Sequence, residues 1–270
     1  MKTRIPNSNL VAVLSLVAVI FAIGRFLFAA EQKQARVTEV VHDVHLLAGQ
    51  SAARPAAVND TVHSGIAVRT GTDSRAELTF TDQSLTRLGA NTVFSFDQGA
   101  RSLNLSSGAA LICVPPDASS VRIIAPAVTA AISGGIAMAE THKNSWIKII
   151  VIEGRGVVTL KTSGKSLTLH PGQMIVLPPG AKDFGKIQNI NLKKLTDKSL
   201  LIRFARLPKW VWALVDVEID RQQTAPPSGG YVDPTGSDAI DQRAATLPTP
   251  GATKPPRGEP SPGLLRDKSR

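Results

Sequence analysis

Aromatic residues make up only 4% of this 270-residue chain, so any core must be built from Val, Ile, Leu and Ala, a composition that suits thin, regular β-layers. There is one cysteine, Cys113, which excludes an intramolecular disulfide. It lies in the apolar run Ala109 to Val114 with nothing electropositive beside it, and so reads as a small buried hydrophobe. The five histidines form no His-x-His pair, and His42 and His45 stand three apart, which on a strand puts them on opposite faces and spoils a shared metal site. Neither a Gly-x-Ser-x-Gly elbow nor a glycine-rich nucleotide fingerprint is present. Asp82, Asp97 and Glu153 are too scattered to nominate as an acid–base pair. No catalytic, cofactor-binding or metal-ligating residue is therefore assigned, and an enzyme is not expected.

What the chain does have is short alternating strands. In the stretch HSGIAVRTGTDSRAELTFTDQSLTRLGANTVFSF, Ala76, Leu78 and Phe80 share one face and Arg75, Glu77 and Thr79 the other, with turns at Gly71 to Ser74 and Thr81 to Ser84. This is the pattern of a half-buried antiparallel sheet, and Arg87 reads as a structural turn residue. Further strands are expected at Ser102 to Leu105, Ala109 to Val114, Val121 to Ile124, Val128 to Ile132, Trp146 to Ile152, Val157 to Lys161, Ser166 to His170 and Gln173 to Leu177. Pro115-Pro116 and Pro126 mark edges or corners, and Ser133-Gly134-Gly135 reads as a bulge. The rhythm predicts an all-β fold, an antiparallel sandwich or a short β-solenoid.

The same residues carry a family resemblance. The valine strand into Thr70-Gly71, then Ser74-Arg75-Ala76-Glu77-Leu78, Asp82, Ser84, Arg87-Leu88-Gly89 and Thr92 resemble the FecR domain, an all-β module of bacterial envelope proteins first met in regulators between an outer-membrane receptor and a sigma factor. The likeness continues through Gly108-Ala109, Ala125-Pro126, Ile132, Val151 to Gly154 and Gly172-Gln173, over roughly residues 37 to 180. It implies a β-domain at 31–185 and an envelope location. A sigma factor is not an expected partner, because only nine residues precede the first apolar run.

That run, Leu10 to Ile23, is short for a span, which needs roughly 20 residues, and follows Lys2 and Arg4 with no acid before it. Residues 1–30 therefore read as a signal peptide or an uncleaved membrane anchor, with the remainder exported to the periplasm or cell surface. The formal charge of +10 includes Lys2, Arg4 and Arg25, so +7 remains beyond residue 30. For an exported chain this charge points to anionic glycans or lipid headgroups rather than to nucleic acid.

From Leu192 the period becomes helical, LKKLTDKSLLIRFARL, and Pro208 breaks it before a second helix at Lys209 to Arg221, giving a helical segment at 186–223. Residues 225 to 270 hold nine of the eighteen prolines and almost no periodic apolar pattern, so 224–270 is expected to be a disordered tail. Arg203, Arg206, Lys209, Trp210 and Trp212 are the one aromatic and basic combination, a candidate contact for a partner or a membrane surface. The expected function is a non-enzymatic binding or scaffold protein of the envelope, acting through protein contacts or on an envelope polysaccharide. HPGQMIVLPPGAKDFG also resembles the turns of cupin-type metal enzymes, but His170 stands there without a second histidine or a matching acid.

Overall fold

The computed structural model describes residues 34–49, 52–97, 101–142 and 145–234. The expected signal segment or anchor at 1–30 and the tail from 235 onward lie outside them. No helix among the described residues is long and apolar enough to cross a membrane.

The strands are β1 (Gln34–Val41), β2 (Val44–Ala48), β3 (Arg54–Pro55), β4 (Thr61–His63), β5 (Ile66–Thr70), β6 (Arg75–Phe80), β7 (Leu85–Leu88), β8 (Val93–Phe96), β9 (Ser102–Val114), β10 (Val121–Ile124), β11 (Val128–His142), β12 (Trp146–Leu160), β13 (Ser166–Leu169), β14 (Gln173–Leu177) and β15 (Gln188–Asn189). Helices α1 (Leu192–Lys198), α2 (Leu200–Arg203) and α3 (Lys209–Thr224) follow.

All of these strands belong to one sheet, which folds over on itself because β9, β11 and β12 run through both of its layers. The upper layer has the order β4-β1-β6-β7-β9-β11-β12-β14-β15 and uses the C-terminal halves of β9 and β11 with the N-terminal half of β12. The lower layer, β3-β2-β5-β8-β9-β10-β11-β12-β13, uses the other halves. Pairing is antiparallel except between β9 and β10, which run parallel. The strands expected at 102–105 and 109–114 are thus one strand, as are those at 146–152 and 157–161.

Burial records where the long strands change layer. β12 is buried without interruption from Ile147 to Ile152 and then alternates, and β11 alternates up to Ile132 and is continuously buried from Ile136 to Thr141. Continuous burial means cover on both faces, and alternation means cover on one. The layers enclose one core, with Val37, Leu78 and Leu88 from above packing against Leu46, Val68 and Leu105 from below. A second core lies on the outer face of the upper layer, where Leu111, Cys113, Met138 and Ile150 meet Leu195, Leu201, Val211 and Val215 of the helices. The molecule is a β-sandwich with a helical third layer over one half.

Each long strand turns at glycine. Gly108 in β9, Gly134-Gly135 in β11 and Gly154 in β12 all have positive φ, and the register of β11 on β12 shifts at Ser133/Gly135, the bulge expected from the sequence. A Cβ on Gly154 would lie 2.2 Å from the carbonyl oxygen of Gly134, so strands β11 and β12 touch backbone to backbone at their common corner.

The helical segment differs from expectation in two places. The single helix expected through Leu207 stops at Ser199, which ends α1 and begins α2, and the chain is non-helical from Phe204 to Pro208. The segment expected to be disordered from residue 224 begins ordered: α3 reaches Thr224, the Val232 N–H donates to the Asn189 carbonyl at 2.8 Å, and the Tyr231 hydroxyl donates to the Gln222 carbonyl. Backbone pairing beside β15 and a half-buried tyrosine hold this piece despite its prolines.

Replacing Gly154 with Ala adds a left-handed backbone penalty to a backbone clash, and should lower stability by about 2–4 kcal/mol. Urea denaturation of the variant beside Gly164→Ala, whose Cβ would meet nothing, separates the corner's effect from that of positive φ alone.

Candidate functional site

The outer face of the upper layer carries charge under the helices. On β6 and β7, Glu77 and Arg87 face each other in register, and their side chains are 9% and 0% exposed. Arg87 Nε donates to Glu77 Oε2 at 2.8 Å, Nη1 donates to the carbonyls of Leu201 (3.0 Å) and Ile202 (2.7 Å), and Nη2 donates to the carbonyl of Ala205 (3.0 Å). The guanidinium also lies 4.8 Å from the centre of the Phe204 ring. The other carboxylate oxygen, Glu77 Oε1, accepts from the Thr38 hydroxyl at 2.7 Å.

Helix α2 is four residues long and ends with unpaired carbonyls. A buried cation at that end satisfies them and complements the negative end of the helix dipole. Arg87 is therefore not the turn residue expected from the sequence but a strand residue clamping the helical layer. The same clamp explains why Glu77, expected on a solvent face, is buried; Arg75, expected on that face too, is also buried and donates from Nη2 to Asp73 at 3.2 Å.

Two further contacts fix the layer. The Gln222 side chain on α3 accepts from the Leu192 N–H and donates to the Ile190 carbonyl, each at 3.0 Å, tying the end of α3 to the start of α1. Near the β12 corner, Glu218 of α3 is 5% exposed and accepts both of its bonds from Arg221 Nη1, at 2.7 and 2.9 Å. Burial pushes the neighbouring Glu153 carboxyl above the ordinary glutamate range, the Glu218 charge pushes it further, and Arg221 partly opposes both. Elsewhere on this face Lys148 and Glu140 form a buried pair at 2.7 Å, with Lys148 5.5 Å from the Trp146 ring centre.

The expected contact residues divide into two groups. Arg203, Arg206 and Lys209 are exposed on and after α2, with Arg203 Nη1 donating to the Asp197 carbonyl at 2.7 Å. Trp210 and Trp212 are half-buried against the second core, so their indoles belong mainly to packing. Cys113 is fully buried, and its thiol is pushed up to about 12, an unreactive thiol at neutral pH. Among the described residues no three His, Cys, Asp or Glu side chains come together as a metal-sized group. Asp82 and Asp97 both line one cavity between the layers, a proximity that sequence spacing concealed.

Removing the clamp cation by Arg87→Met leaves Glu77 buried without its partner and the α2 carbonyls unpaired, at an expected cost of about 3–5 kcal/mol. Amide exchange should rise first in residues 192–224, with red-shifted Trp210 and Trp212 emission, while the β-layers stay protected. For Glu153 the raised folded-state value means that the unfolded chain releases its proton first, so stability falls as pH climbs from the ordinary glutamate range through the folded value. Glu153→Gln should flatten that part of a stability–pH curve and be no less stable than wild type at neutral pH, as read by urea midpoints.

The family model described as FecR protein matches residues 66–155, from β5 to just beyond the Gly154 corner. No curated protein matches the chain. Two crystal structures of a candidate anti-sigma factor from Parabacteroides distasonis are similar to it, at 15% and 14% identity and TM-scores of 0.41 and 0.40. The matches cover 48% and 49% of this chain and 62% and 64% of those chains, so the chain spans less than two thirds of their length. By the family match, residues 66–155 of this chain are a FecR domain.

Proposed function

We propose that the chain is an exported, non-enzymatic binding protein of the cell envelope, and that its helical layer is the surface on which a protein partner docks. The observation that carries this reading is the Arg87 clamp. Beside its bond to Glu77, the buried guanidinium holds the backbone carbonyls of Leu201 and Ile202 in α2 and of Ala205 just after it, and the segment so fixed presents Arg203, Arg206 and Lys209 to solvent. Fixing the backbone before encounter lowers the ordering cost of binding. An exposed cluster of three cations suits an acidic partner surface and speeds its approach at low salt. The buried charges Glu77, Arg87, Glu140 and Lys148 are paired inside the fold rather than aimed into a cleft, which favours a binding platform over a reaction site.

Crosslinking in intact cells, followed by capture through a C-terminal tag, should recover a reproducible protein partner. The triple variant Arg203→Glu, Arg206→Glu, Lys209→Glu should lose at least about tenfold of it. Recovery of carbohydrate without protein would move the assignment to an envelope polysaccharide, and full retention of the partner by the triple variant would remove the helical layer from the interface.

A further inference from the structure

The cavity that Asp82 and Asp97 both line opens between the two β-layers, on the far side of the upper layer from the helices. It encloses about 50 Å³ and its wall is apolar, formed by Phe80, Phe96, Leu103, Ile112 and Val121, with Phe80 and Phe96 edge to face at 5.1 Å. Thr81, Asp82, Ser84, Thr86, Asp97 and Arg101 also line it, and of these Thr86 alone has a buried side-chain polar atom without a hydrogen-bond partner. Thr86 pairs with Leu78 on one side and Ile112 on the other, both of the inner core, so its side chain lies on the inner face. The residue is 1% exposed, and its buried hydroxyl has no hydrogen-bond partner. Leaving such a group unsatisfied is costly, so the site is built to take something that bonds to it.

Size and charge limit the occupant. A cavity of about 10–15 Å³ takes one water and one of about 150 Å³ takes benzene, so this space suits a group of about three or four heavy atoms. At the rim Arg101 is engaged already, paired with Asp82 and donating to the Ser119 carbonyl. The charge left over is the exposed Asp97 carboxylate, which repels an anion. We infer that this cavity is a binding site for a small amphiphile, one that seats an isobutyl-sized aliphatic group against Phe80, Phe96 and Val121 with a neutral or cationic polar group at hydrogen-bonding reach of Thr86 or at the Asp82–Asp97 rim. The site lies apart from the helical layer, and its failure would leave the docking surface untouched.

The test is a titration of the full chain, labelled at Ile, Leu and Val methyls, with isobutanol, isobutylamine and isobutyrate up to about 100 mM, a range set by the weak affinity available to so few atoms. Saturable shifts are expected at Leu103, Ile112 and Val121 with the alcohol and the amine, with isobutyrate weaker by at least about fivefold. Val121→Phe fills the space and should abolish the shifts. Thr86→Val keeps the shape without the hydroxyl and should weaken isobutanol by about three- to tenfold, which keeps the test open where Val121→Phe does not fold. Absence of saturable shifts with all three probes would overturn the site and leave Thr86 to a structural water, shifts that persist in both variants would place binding elsewhere, and tightest binding by isobutyrate would overturn the charge assignment.

Discussion

The guanidinium of Arg87 has to be where it is, and much of the molecule follows from it. A cation with no exposure to water is tolerated only when its charge is matched and its donors are used. Glu77 supplies the charge from the neighbouring strand, but one carboxylate cannot occupy a planar group with five donors. The remaining donors must find acceptors above the sheet, and the carbonyls of Leu201, Ile202 and Ala205 are those acceptors. Sheet and helices are thus mutually dependent. Without the helices the β6–β7 pair would hold a half-satisfied ion pair on its outer face, and without Arg87 a four-residue helix would end in buried, unpaired carbonyls.

The corners of the long strands set how far the helical layer extends. β9, β11 and β12 leave the upper layer at Gly108, Gly134-Gly135 and Gly154, and beyond those points one face of each strand is bare. Glu153 stands one residue before the β12 corner, beside Glu218 and Arg221 of α3. The helix therefore meets the edge of its platform at a place where two carboxylates and one guanidinium share a partly buried space. That contact is adjustable by pH, since burial and the Glu218 charge hold Glu153 above its ordinary range. Firm attachment lies under α2 and a titratable one under α3.

The strands were legible in the sequence wherever one face meets water. Alternation in Val121 to Ile124 and in the second half of β12 marks single-sided cover, and the bulge at Ser133-Gly134-Gly135 follows from its small residues. The unbroken apolar run from Ala109 to Val114 gave the strand but not the cover on both of its faces. Nor did spacing show that strands separated by a glycine are one strand continuing into a second layer, because a positive φ ends a strand and bends one with the same residue. Arg87 was misread for a related reason. Its partners are backbone carbonyls more than a hundred residues away, and a carbonyl carries no side-chain signature. Asp82 and Asp97 looked scattered because the fold-over that brings them to one cavity is long-range.

The use of carbonyls as acceptors also bears on how the module is divided. Arg87 and Glu77 both fall within the residues matched to the FecR family, whereas every group that Arg87 holds above the sheet lies outside them, from Leu201 onward. A clamp that grips main-chain oxygen asks only that a helical end be presented at the right height, and places no demand on which side chains that segment carries, Phe204 at the guanidinium face apart. Arg206 and Lys209, exposed on the cap, take no part in the clamp and could be replaced by acids or by neutral residues without disturbing it. A sheet that fixes a helical segment by its backbone can offer different side chains to different partners from one rigid mount. On the docking reading proposed above, this separation of grip from display would let recognition vary at the helical layer while the β-domain beneath it stays the same.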